Sequence, residues 1–80
     1  MNGSEIIVSY KDNTSEEFYF DNDNVVDLAE AEIKIKLNDN NSYIEIPLYE
    51  GKEKYGNQII LTNSIKTIYF QHSKKNEGEE

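Results

Sequence analysis

The 80-residue chain contains neither cysteine nor arginine. Without thiols there is no disulfide framework and no thiolate metal site, which excludes a small secreted scaffold held by bridges and makes a reducing compartment the default. The missing arginine, beside abundant Asn, Ile, Lys and Glu, fits the coding bias of an AT-rich genome. No apolar run approaches the roughly 18 residues that span a bilayer, and Met1-Asn2-Gly3-Ser4-Glu5 lacks the basic start and apolar stretch of a signal peptide. The expectation is a soluble cytoplasmic protein without membrane contact.

Chemistry-bearing residues are equally sparse. The one histidine, His72, falls in a polar C-terminal stretch, so a nucleophile with a base beside it is not expected. Structural zinc needs several Cys or His ligands at short spacing, and the four glycines (Gly3, Gly51, Gly56, Gly78) form no phosphate cradle. Asp21-x-Asp23-x-Val25-Val26-Asp27, with Glu32 in the twelfth place, partly follows a calcium loop, but Val26 stands where the turn needs Gly and Val25 where an oxygen ligand is needed. That segment reads as a solvated acidic loop. No catalytic residue, metal or cofactor is expected, and the chain is read as a binder rather than an enzyme.

What is present is charge of one sign, and it is concentrated. Between Asp12 and Glu32 lie eight acids (Asp12, Glu16, Glu17, Asp21, Asp23, Asp27, Glu30, Glu32) and no lysine, while the rest of the chain is formally neutral. The net charge of −8 therefore belongs to one stretch. Its potential would repel phosphate backbones and attract basic surfaces, fading over a Debye length of about 8 Å in physiological salt. Direct nucleic-acid binding is disfavoured, because the counterion release that drives it needs clustered cations.

The apolar pattern predicts a mainly β domain over residues 1–70. Glu5–Tyr10 and Glu16–Phe20 are β-branched and aromatic runs around a polar turn, which reads as a hairpin. Asn24 could cap one short helical turn over Val25–Glu30. Ala31–Leu37 (AEIKIKL) alternates with period two and is expected to be a strand, paired through Asn38–Ser42 with Tyr43–Tyr49 (YIEIPLY). Pro47, which cannot donate a ladder bond, puts the latter at a sheet edge or beside a bulge. Gln58–Thr62 and Ile65–Phe70 form a third hairpin or one bent strand, and residues 71–80 read as a polar, disordered tail. The expectation is a small antiparallel sheet of five or six strands, curled or barrel-like, with at most one short helical turn. A sheet with no helix to cover its apolar face must close on itself or pair with a second copy.

Tyr43 and Tyr49 share the outward phase of their strand with Glu45 and Pro47, giving an aromatic and acidic stripe suited to an interface. The leading expectation is a domain that presents its acidic surface to a basic protein partner, most concretely by occupying the nucleic-acid-binding groove of another protein. In composition alone, small, acidic and cysteine-free, the chain resembles phage-encoded inhibitors of bacterial defence such as anti-CRISPR proteins. That resemblance implies action in the cytoplasm of a bacterial host cell and carries over no individual residue. Two alternatives stand beside it: a homo-oligomeric accessory protein of a phage or mobile element, a homodimer in its simplest form, and a β module that binds a small signalling nucleotide through Lys34, Lys36 or Lys66.

Overall fold

The computed structural model describes residues 3–72. Five strands and one helix follow one another in the chain: β1 (Ser4–Tyr10), β2 (Ser15–Phe20), α1 (Asp23–Lys36), β3 (Tyr43–Glu50), β4 (Glu53–Leu61) and β5 (Ile65–Gln71), with a 3-10 turn at Thr62–Ser64. They form two open antiparallel sheets, one of three strands in the order β2-β1-β5 and one of two, β3-β4. The mainly β class and the five strands agree with the pattern in the sequence. The single curled or barrel-like sheet does not: neither sheet closes, because the face that closure would have buried is covered by the helix.

That helix corrects two expectations. In place of one short turn there are 14 residues of α1, and Ala31–Leu37 is not a strand but the end of that helix and its cap. The physical reason lies upstream of the alternating run. Asn22 accepts the Asn24 N–H through its side chain, Asp23 sits in the first turn, and Val26, Ala29 and Ile33 recur at helical spacing and are all buried. Within the alternation, Ile33 is 1% exposed and Ile35 72% exposed, which no strand face would produce. Lys34 pairs with Glu30 one turn back at 3.0 Å, and the Leu37 N–H closes on the Ile33 carbonyl.

With α1 taking that segment, β3 turns to β4 for its partner. The connection is two residues long, Gly51-Lys52 between the paired Glu50 and Glu53, and Gly51 adopts φ +63°. A Cβ on Gly51 would meet no atom within 4 Å, so its substitution is opposed by backbone conformation alone. Gly51→Ala should therefore cost about 1 kcal/mol in urea unfolding, and Gly51→Asn less, since Asn tolerates the left-handed region. Equal losses for the two variants would show that the turn does not depend on that conformation.

Pro47 sits in β3, which among the described residues has β4 on one side only, consistent with an edge strand, and the ladder shifts register between Leu48 and Tyr49. β4 and β5 are not a hairpin: the chain leaves the two-stranded sheet at Leu61, bends through Thr62–Ser64 and joins the three-stranded one beside β1. The core is shared by all layers: Ile6, Val8 and Phe20 from the three-stranded sheet, Val26, Ala29 and Ile33 from α1, and Ile44, Ile46 and Ile60 from the hairpin. Among the described residues no buried side-chain nitrogen or oxygen lacks a hydrogen-bond partner. Gln71 completes β5 and His72 contacts α1, so the segment expected as a tail from residue 71 begins with two ordered positions; residues 73–80 lie outside the described residues.

Candidate functional site

The eight acids between Asp12 and Glu32 reach the surface on several elements. Asp12 lies in the β1–β2 turn, where it accepts bonds from the Thr14 hydroxyl (2.6 Å) and Thr14 N–H (3.0 Å), which hold its carboxyl below the usual carboxylate range. Glu16 and Glu17 belong to β2. Glu16 accepts from the Tyr10 hydroxyl at 2.6 Å, and the Tyr10 phenol is pushed up first by burial and then by that bond. Glu17 accepts from the Tyr19 hydroxyl, which drives the Tyr19 phenol to about 12. Both tyrosines thus remain neutral donors that fix carboxylates on the sheet.

Asp21 precedes the helix, and Asp23, Asp27 and Glu30 follow at i, i+4 and i+7 along one side of α1. Glu32 lies on another side of the helix and lines a shallow hollow with Lys36 and Glu45 of β3. Six of the eight, Asp12, Glu16, Glu17, Asp21, Asp27 and Glu32, are exposed; Asp23 and Glu30 are half-buried. Among the described residues the lysine paired with an acid of this stretch is Lys34, with Glu30. Lys36 instead stands over the Tyr43 ring, 4.4 Å from its centroid.

The aromatic stripe expected on β3 divides. Tyr43 is 40% exposed beneath Lys36 and Glu45 is exposed, but Tyr49 is half-buried, set edge-on against Phe20 with centroids 6.3 Å apart. The register shift at Leu48/Tyr49 accounts for the inward turn of Tyr49. There it lines a cleft of about 510 Å³ together with Phe20, Asp21, Asp23, Val25 and Lys52. Carboxylates and aromatic rings in one cleft are the residue types that receive a cationic side chain.

His72, expected in the polar tail, instead meets three carboxylates of α1. Its Nε2 lies 2.8 Å from Glu30 Oε1, and its Nδ1 lies 3.0 Å from Asp27 Oδ1 and 3.4 Å from Asp23 Oδ1. Chiefly the bond to Glu30, and then the charges of the three carboxylates, raise the imidazole above its ordinary 6.5. Glu30 is held low by Lys34 first and by His72 after it. The signal for this placement is the strand phase: Ile68 and Phe70 face the core, and His72 is the next residue on that side.

Asp23, Asp27 and His72 each bring a ligand atom within 4.8 Å of the others, a spacing that a divalent ion could bridge. Both ring nitrogens, however, already lie at hydrogen-bond distance from carboxylates, the arrangement of an imidazolium donating on both sides. No metal ligand is assigned among the described residues.

No protein-family model, no curated protein and no solved structure matches this chain.

Proposed function

We propose that this protein is a binding module that presents an acidic surface to a basic protein partner. The observation that carries the reading is the exposure of six of the eight acids between Asp12 and Glu32. Such a surface steers a cationic partner during encounter, and exposed tyrosines such as Tyr19 next to Glu17 add contact area that slows dissociation. The cleft beside Asp21 and Asp23 is a receptacle of the right chemistry for a lysine or arginine of that partner. In its finer form the partner is a nucleic-acid-binding protein whose groove the carboxylates occupy in place of phosphates.

The test begins with a partner recovered by cross-linking and follows its association rate against salt. Neutralising Glu16, Glu17, Asp21 and Glu32 as amides leaves the His72 contacts intact and should slow association about 10-fold or more at low salt, with little change in folding. DNA added in excess should displace the protein if a nucleic-acid groove is its seat. An unchanged rate for the fourfold variant would remove the electrostatic basis of the proposal.

Self-association is the second reading, favoured by the hairpin. Among the described residues one edge of β4 is unpaired, and the strand shows Ile59 and Leu61 at 51% and 59% exposure. Light scattering that gives a dimer mass would support it. The lysines of the nucleotide-binding alternative are divided between two elements: Lys34 and Lys36 lie on α1, beside Glu30 and Tyr43, and Lys66 lies on β5.

A further inference from the structure

We propose that His72 and the carboxylates of Asp23, Asp27 and Glu30 form a proton-operated clasp, which fastens the end of β5 to the first half of α1 and opens when the imidazole loses its proton. The clasp adds a polar link between elements that are not hydrogen-bonded neighbours in a sheet, since β5 pairs with β1 and α1 packs chiefly on β3, β1 and β2. His72 is the first residue after β5, and it places one ring between carboxylates spaced over two turns of the helix.

The geometry requires both ring protons. At 2.8 Å from Glu30 and 3.0 Å from Asp27, each ring nitrogen must donate, because a carboxylate only accepts. Loss of either proton turns a lone pair toward an anionic oxygen at the same distance. It also leaves three acids on neighbouring positions of one helical side, where i, i+3 and i, i+4 like charges repel. Lys34 remains on Glu30 but does not reach Asp23 or Asp27 within ion-pair distance. From β1 the Ser4 hydroxyl donates to Asp23 Oδ1 at 2.5 Å and orients that carboxylate. Glu5, opposite Gln71 in the register, stands one residue out of phase with His72 and so on the outer side of the sheet. Asp21, in the loop before α1, makes no ion pair with the ring among the described residues.

The clasp has a pH window with two edges. Because the folded imidazole titrates above its ordinary 6.5, its contribution to stability is complete below 6.5 and is lost as the pH rises through the folded value. Because Glu30 is depressed when folded, the acidic edge is reached only as the pH falls through its lowered value. On the binding reading above, opening the clasp also adds uncompensated charge to the acidic surface, but the clasp does not depend on that reading.

The test uses the full chain. The His72 ring is titrated by NMR, and urea unfolding is followed from pH 5 to 9 for the native sequence, His72→Gln and Glu30→Gln. The ring should titrate above 6.5, Glu30→Gln should move that titration down, and native stability should fall through the interval in which His72→Gln stays flat. A ring that titrates at or below 6.5, or parallel stability profiles for the native protein and His72→Gln, would overturn the clasp. So would zinc that perturbs the ring at pH 8 reversibly with EDTA, since His72 would then be a ligand and not an acid.

Discussion

Ile33→Ala should destabilise the protein by about 2–5 kcal/mol, while Ile35→Ala, two residues further on, should change stability by less than about 0.5 kcal/mol. Ile33 is 1% exposed in the shared core, so truncation loses its transfer free energy and leaves a cavity between α1 and the hairpin. Ile35 is 72% exposed, and alanine is the better helix former by a few tenths of a kcal/mol, so the two small terms nearly cancel. An 80-residue domain is stable by roughly 4–12 kcal/mol in all, so the first variant loses a large part of its stability. Urea unfolding followed by far-UV circular dichroism measures both. On a strand the two isoleucines would share one face and cost alike; equal losses would refute the helix.

The same pair shows why part of the fold was legible and part was not. Seven residues of strict alternation satisfy the period of a strand, but Ile33 and Leu37, four apart, satisfy a helix as well. The deciding information is spread over a longer window: the cap at Asn22, Val26 and Ala29 at helical spacing, and Leu, Ala, Glu and Lys, all good helix formers, from residue 28 onward. Read as a strand, Ala31–Leu37 leaves the sheet without a helix to cover it, and closure into a barrel is then the expectation that follows. The first hairpin was legible because its period matched its only reading: Ile6, Val8 and Phe20 are buried as the alternation requires. The edge position of the strand with Pro47 was legible for a different reason, since a residue without an N–H limits where a strand can pair.

For the candidate site, counting acids located the charge but not its faces. Glu17 belongs to the outer face of a sheet, whereas Asp23, Asp27 and Glu30 meet at a histidine 42 to 49 positions away in sequence. No local pattern connects them. His72 was hidden by its polar neighbours, although the core phase of Ile68 and Phe70 extends to it.

Thr62→Val should cost about 1–3 kcal/mol, more than Thr62→Ser, although valine keeps the shape of the side chain and serine does not. Thr62 is 6% exposed where the chain passes from one sheet to the other. Its hydroxyl donates to the Asp39 carbonyl at 2.7 Å, with the Ser42 carbonyl at 3.0 Å, and accepts the Ser42 N–H at 3.1 Å. Its own N–H reaches the Ser42 carbonyl at 2.9 Å. One side chain thus binds the loop that follows α1 to the bend that precedes β5. Valine would leave the Asp39 carbonyl without its short partner and the Ser42 N–H with only a 3.3 Å bond to that same carbonyl. Serine preserves the hydroxyl and loses one methyl, worth about 0.8 kcal/mol. Urea unfolding ranks the two variants, and hydrogen exchange at the Ser42 amide should quicken in Thr62→Val alone. If serine proves the more damaging substitution, packing rather than hydrogen bonding holds this junction. The two sheets would then be joined through the apolar core alone, and the polar link between helix loop and bend would be incidental to stability.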